Sequence, residues 1–536
     1  MTGAIATVPR ATPARTASMA FARVLPWLAG AIVFAVGAFA VDGQPVGVLR
    51  DDAMYVLLAK SIASGHGYRW LNLPGAPAAI HFPPGYPAFL AVLWWIAPAF
   101  PANIVAFKLA NALLAGLSAV AVARFARARF DMSEWGAQGI ALVAMLPFPM
   151  LSLSTQVLSE PLFLLVALLT LLYAERVIQI RRHRPPATSH QPPPAIVLAM
   201  LAGAATLVRT NGVAVVAAIA LLFCLRRRLR ECAVFVATSA IVLLPWQLWV
   251  MSHANALPAP MRGNYESYLS LVGDAIRTQG IGFLAAVAMR TSHDIALMLQ
   301  YAAAPVSVAP VRWIALAALG ALSVVGAPAL WRRAPVTAAF LALYFVIVLL
   351  WPYTPGRFLW CVWPLLLLLP ILGAQRTLAW LPRSSFGSIT RISALAAALG
   401  LAIGYVTYNV NGYRAGAWTT TSYATRLQPL IVHVVTHTPR DALLATESEG
   451  SVYLYTGRST VPLGTYSATD YVRSRTVAQS VDGIATIVEH YHPLAVVVST
   501  RFLRAAAAEL TLRQPPILAV ADTFPGGGLV LVPVQR

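Results

Sequence analysis

Apolar runs of near-membrane length recur from residue 24 to residue 409, and charge is almost excluded from them. In lipid every backbone N–H and C=O must find an internal partner, so repeated runs of this kind fold as a helix bundle. Of the 536 residues, 58% are hydrophobic and only 11% charged, against about 25% charged in a soluble domain. Eleven spans are expected, at 24–41, 104–123, 136–154, 161–178, 195–209, 212–225, 232–250, 313–331, 335–351, 357–373 and 392–409. The fold class predicted is an α-helical polytopic membrane protein.

Formal net charge is +20, nearly all of it arginine; Lys60 and Lys108 are the only lysines. Such a balance suggests nucleic acid, but the placement excludes it. The arginines sit in short loops, as in the cytoplasmic loops of membrane proteins: Arg124, Arg127 and Arg129; Arg181, Arg182 and Arg184; Arg226, Arg227, Arg228 and Arg230; Arg332 and Arg333; Arg376, Arg383 and Arg391. Each cluster shares a side with the N-terminus if 24–41 crosses once. Residues 1–23, with Arg10, Arg15 and Arg23 and no acid, are then a cytoplasmic segment. The first span is read as an uncleaved anchor, although its end, Ala38-Phe39-Ala40, resembles a signal-peptidase site. Counting residues 86–100 as a span would invert this sidedness. They are expected as a helix in the outer interface, where Trp94 and Trp95 are at home. The polar 283–304 stretch, with Arg290, His293 and Asp294, places 251–312 outside as a loop with an interfacial helix. The Pro-rich segment Arg184–Pro194 is a cytoplasmic linker. Cys224, Cys232 and Cys361 show neither disulfide nor metal spacing.

Composition shifts near residue 410. From 411 to 536 there are ten Arg and eight acidic residues, and no long apolar run. β-rich stretches at Ala442–Thr446, Val452–Tyr455, Ala495–Ser499 and Leu529–Val534 alternate with helical patterns at 422–436, 478–491 and 502–512. This predicts a small extracytoplasmic α/β domain following a transmembrane domain of 24–410 whose first outer loop is 42–103.

Acids are scarce before residue 411, eleven in all. Asp51 and Asp52 stand side by side about ten residues beyond the first span, where two carboxylates are costly unless their charge is used. Either is a candidate general base; either is also a good N-cap for the helix expected from Ala53. Glu160, before Pro161 at the outer mouth of a span, is a further catalytic candidate and equally a first-turn acid favoured by the helix dipole. Candidate substrate-binding groups are Lys108, Arg209, Arg357, His81 and Tyr86. Lys108 is one turn into the second span, where a cation must snorkel or meet an anion. Arg209 interrupts an apolar run between two half-length spans. Arg357 stands at the outer start of the tenth. His81 and Tyr86 flank the rigid Pro83-Pro84-Gly85 turn. Phosphate loops, zinc motifs and Ser-His-Asp orders are absent.

Several of these segments resemble the GT-C superfamily of membrane glycosyltransferases, in the branch of the dolichyl-phosphate-mannose protein mannosyltransferases and aminoarabinose transferases. The motifs are Arg50-Asp51-Asp52-Ala53-Met54-Tyr55, Gly65-His66-Gly67-Tyr68, Pro83-Pro84-Gly85-Tyr86-Pro87, Leu158-Ser159-Glu160-Pro161, Leu207-Val208-Arg209-Thr210-Asn211, Leu244-Pro245-Trp246 and Gly356-Arg357-Phe358, in that order. The resemblance implies a polyprenyl-phosphate sugar donor, a glycan, lipid or protein acceptor, surrounding membrane lipids, and a base at Asp51 or Asp52 in the first outer loop. It permits a divalent metal cation without requiring one. The expected place is the outer face of the cytoplasmic membrane. The competing expectation is a transporter or flippase of a lipid-linked saccharide, which would need a polar path through mid-bilayer.

Overall fold

A computed structural model of the chain describes residues 24–179, 193–303, 306, 308–380, 385–524 and 528–534. Residues 1–23, most of the Pro-rich linker, Arg181, Arg182, Arg184 and Arg383 lie outside that set. All eleven expected spans fall on helix, but not all on helices of full crossing length. Among the described residues, five are long and apolar enough to cross a membrane: Asn103–Phe130, Glu160–Gln179, Leu229–His253, Ala309–Arg333 and Gly356–Trp380. Two bent pairs raise the number to as many as seven. One is Glu134–Met145 with Phe148–Thr155, bent by 71°. The other is Tyr268–Gln279 with Gly282–Leu299, bent by 116°. The second pair falls within the expected outer loop, its helix Gly282–Ala302 over the expected interfacial stretch, and the Gly280 turn joins it to a second helix so that the two together are as apolar as a span. Leu25–Ala40, Pro194–Val208, Thr210–Leu225 and Pro335–Leu349 are shorter apolar helices, as is Gly85–Ile96 over the interfacial segment. Proline begins several of them, where the missing N–H costs nothing.

Two features order the bundle. Helices 309–333 and 368–380 touch backbone to backbone through Gly326 and Gly373. A Cβ built on Gly326 would stand 2.0 Å from the Leu369 carbonyl oxygen, and one on Gly373 1.8 Å from that of Leu322. Basic groups gather at one end: Arg129 donates to Gln179, Gln179 to the Arg333 carbonyl, and Arg228 to the Val177 carbonyl. The acids Asp51 and Glu160 lie at the other end.

The helix Ser385–His437 runs unbroken for 53 residues, straight through the composition shift at 410. Its middle wedges against the bundle: Tyr413 donates to the Leu146 carbonyl, and the Phe148 N–H donates to Asn409. Its end packs Leu430 and Val434 on the C-terminal sheet with Leu444, Val497 and Val530. That sheet has five strands, β1 (Leu443–Thr446), β2 (Ser459–Pro462), β3 (Ala495–Val498), β4 (Leu518–Phe524) and β5 (Gly528–Pro533), in the order β2-β1-β3-β5-β4. β2, β1 and β3 are parallel, joined by crossover helices; β5 and β4 are antiparallel. The expected strand at Val452–Tyr455 is instead part of the helix Glu449–Thr456. Glu449 in its first turn and the left-handed Gly457 (φ 73°) at its end fix that segment as helix despite its β-rich composition.

Candidate active site

Asp51 opens the helix Asp51–Ala63 and Glu160 opens the helix Glu160–Gln179. Arg357 is in the first turn of Gly356–Leu366. Arg209 is extended (φ −145°, ψ 132°) at the break between Val208 and the Thr210–Gly212 turn, which frees its side chain from the helix axis. The break is tight because Gly212 lies on Ala205: a Cβ there would meet the Ala205 backbone at 2.6 Å.

These four residues form one ionic chain. Arg357 Nη1 donates to Asp51 Oδ2 at 2.7 Å, and its Nε and Nη2 reach Glu160 Oε1, each at 2.8 Å. Arg209 Nη1 reaches the same Glu160 oxygen at 2.9 Å and Ser159 Oγ at 2.8 Å. Ser159 Oγ is 3.2 Å from the Tyr55 hydroxyl. Glu160 is 2% exposed, whereas the Arg357 and Asp51 side chains keep 29% and 33%. Glu160 is therefore the buried hub; Asp51 and Arg357 are the members of the chain open to the cavity. The second Glu160 oxygen, Oε2, is buried with no hydrogen-bond partner.

Asp51, Arg50, Arg209 and Arg357 line one cavity of about 270 Å³. Its other walls are largely aromatic, with Tyr55, Tyr268, Tyr353, Phe358 and Tyr471 among them. Tyr471 comes from the C-terminal domain and packs against Tyr353 with ring centroids 4.5 Å apart and planes tilted by 47°. His81 also lines the cavity. Its Nδ1 donates to the Glu266 carbonyl at 2.6 Å, and burial pushes its pKa down to about 4. The ring is thus neutral at pH 7, with Nε2 left as acceptor.

The other expected site residues lie elsewhere. Asp52 is fully buried and accepts the backbone N–H of Gly47 at 2.7 Å and of Leu49 at 3.3 Å. Burial raises its pKa against the pull of those bonds. Lys108 is 1% exposed, and its ammonium donates to Asp42 Oδ1 (2.6 Å), the Asp42 carbonyl (3.2 Å) and the Gln44 carbonyl (3.1 Å). All three of its protons are used, so Lys108 anchors the loop after the first helix and is not a cavity wall. Tyr86 is buried and accepts from Asn111 at 2.9 Å. Among the described residues no three His, Cys, Asp or Glu converge as metal ligands. Between Asp51 and Glu160, where a divalent cation would bridge two carboxylates, stands the Arg357 guanidinium.

Sequence reasoning missed Arg50 and the tyrosines. Arg50 lies in a quoted motif but carried no role; Tyr353 and Tyr471 had no local signal.

No family model and no curated protein matches the sequence. The fold, however, is similar to that of several solved structures. ArnT from Cupriavidus metallidurans bound to undecaprenyl phosphate is similar with a TM-score of 0.52 at 15% identity, over 96% of this chain and 100% of that one. Its apo state gives 0.51 at 13% identity. The Archaeoglobus fulgidus oligosaccharyltransferase tethered to an acceptor peptide gives 0.52 at 14% identity, over 96% of this chain and 74% of that one. The chain thus shares its fold with these proteins over most of its length.

Proposed function

We propose that the chain transfers a single sugar from a polyprenyl-phosphate-linked donor to a glycan, lipid or protein acceptor, with inversion, at the outer face of the cytoplasmic membrane. The observation that carries this reading is the convergence of one accessible carboxylate, Asp51, with three guanidinium groups in one aromatic-walled cavity. The ligands held by the structural neighbours, undecaprenyl phosphate in one and an acceptor peptide in the other, fit the same reading.

In the proposed reaction the acceptor hydroxyl gives its proton to Asp51 as its oxygen attacks the anomeric carbon. The bond from that carbon to the phosphate oxygen breaks on the opposite face, and the electron pair leaves on the polyprenyl phosphate. Arg357, with Arg209 behind it, receives the growing negative charge. Glu160 holds both guanidiniums in place so that they need no reorganisation at that moment. The tyrosine walls keep water from the electron-deficient sugar. Asp52 fixes the loop that carries Asp51. No step needs a metal ion. A flippase would want polar groups at mid-bilayer; these are at helix ends.

The test is turnover of polyprenyl-phosphate-linked sugars, extracted from the host membrane, by the purified chain. Wild type should release polyprenyl phosphate. Asp51→Asn should lower kcat by about 10²–10⁴-fold with donor KM little changed. An Asp51→Asn protein turning over like wild type would remove the assigned base.

A further inference from the structure

The residue before Asp51 has a backbone that a non-glycine residue rarely adopts. Arg50 has φ 63° and ψ −55°. The Asp51 N–H donates back to the Leu49 carbonyl at 2.7 Å. This is a γ-turn of the positive-φ kind, a rare and strained form. Such a conformation persists only where its surroundings over-determine it.

The surroundings do so from two sides. Asp52, the residue after Asp51, grips the N–H groups of Gly47 and Leu49. From the C-terminal domain, Glu449 takes the Arg50 guanidinium: Oε1 accepts from Nη2 at 2.7 Å and from Nε at 3.2 Å. Glu449 is 2% exposed, and the buried Tyr265 hydroxyl donates to the same oxygen at 3.2 Å. Around that ion pair the domain is stitched to the first loop. Tyr455 meets the Val46 N–H at 3.2 Å, Ser451 donates to the Val46 carbonyl at 3.1 Å, and Thr460 N–H donates to Asn72 at 2.7 Å.

We propose that Glu449 is a positioning residue for the transfer reaction: by clamping Arg50 it holds the γ-turn that aims Asp51 into the cavity, which makes the C-terminal domain part of the catalytic apparatus. The inference rests on the reading of Asp51 as base. Released from the clamp, Arg50 relaxes to negative φ and swings the first residue of the helix. Misplacing a reacting group by about 1 Å is enough to cost about 10²-fold in rate. The donor's cations, Arg209 and Arg357, belong to other elements and stay where they are.

The experiment uses the full chain in nanodiscs and three variants, Glu449→Gln, Arg50→Ala and Arg50→Gly. Hydrogen exchange over residues 46–54 reads the clamp without substrate; Glu449→Gln should speed it while the transmembrane helices stay protected. In turnover, Glu449→Gln should lower kcat by about tenfold or more with donor KM within about twofold. Both Arg50 variants lose the guanidinium, so their ratio isolates the backbone. Glycine carries positive φ without penalty, and Arg50→Gly should outperform Arg50→Ala by about fivefold or more. Unchanged exchange in Glu449→Gln, or equal kcat in the two Arg50 variants, overturns the proposal. If exchange responds and the glycine advantage holds while Asp51→Asn still turns over normally, the clamp stands and the base assignment falls.

Discussion

Glu160→Gln and Asp51→Asn should damage the protein in opposite ways, although both remove one negative charge from one ionic chain. Glu160 is buried at 2% exposure and takes N–H groups from Arg209 at 2.9 Å and twice from Arg357 at 2.8 Å. At an effective dielectric constant of about 20, one such contact is worth about 4 kcal/mol before desolvation. Removing one partner of a buried pair costs about 3–5 kcal/mol because the other charge is stranded. Here two guanidiniums are stranded, and glutamine still accepts one N–H, so about 3 kcal/mol is expected. That is a large share of a total stability of about 5–15 kcal/mol. The Asp51–Arg357 pair is about one-third exposed on both sides, and pairs of that kind contribute about 0–1 kcal/mol. Thermal unfolding in one detergent should therefore put Glu160→Gln lower by on the order of 5 °C, with Asp51→Asn near wild type. Turnover measured where all three proteins are folded should show the larger loss of kcat in Asp51→Asn. Equal midpoints for the two variants, or a wild-type midpoint for Glu160→Gln, would refute the division into buried hub and accessible base.

Lys108→Ala leaves two carbonyls without their donor while the one-third-exposed Asp42 keeps water and Thr420, so it should lower stability by about 1–3 kcal/mol, while donor KM of the folded fraction stays at the wild-type value. His81 has a folded pKa of about 4, below its ordinary 6.5. Its neutral burial is fully compatible with folding above pH 6.5, and stability is lost as pH falls from 6.5 towards 4; a pH series of midpoints should show this acid-side loss in wild type and a flatter curve in His81→Gln. Gly326→Ala places a methyl 2.0 Å from the Leu369 carbonyl oxygen, so it should force two helices apart and cost about 1–3 kcal/mol by unfolding in detergent.

The helices were legible because lipid leaves only one solution for a long apolar run, and Arg spacing marked their ends. What composition could not give was length: 134–155 bends by 71° after residue 145, and the helix from Ser385 ignores the polarity change at 410. In the site, Asp51, Glu160, Arg209 and Arg357 were legible singly, as charges too costly to be idle near a membrane. Their pairing, across 306 residues between Asp51 and Arg357, was not, since no local pattern encodes it. Lys108 misled for the same reason: an expensive cation needs an anion, and sequence does not say that Asp42 is that anion. Tyr471 and Glu449 reach the loop only through the fold of the C-terminal domain, far outside any local window.

The 53-residue helix at 385–437 is about 80 Å long at 1.5 Å per residue, more than twice the roughly 30 Å hydrocarbon slab. The globule at its tip is therefore carried on a mast, not a tether. Glu449 and Tyr471 ride on that mast, so a tilt of it, for instance at Pro429 inside it, would shift both the group that holds Arg50 and a wall of the cavity.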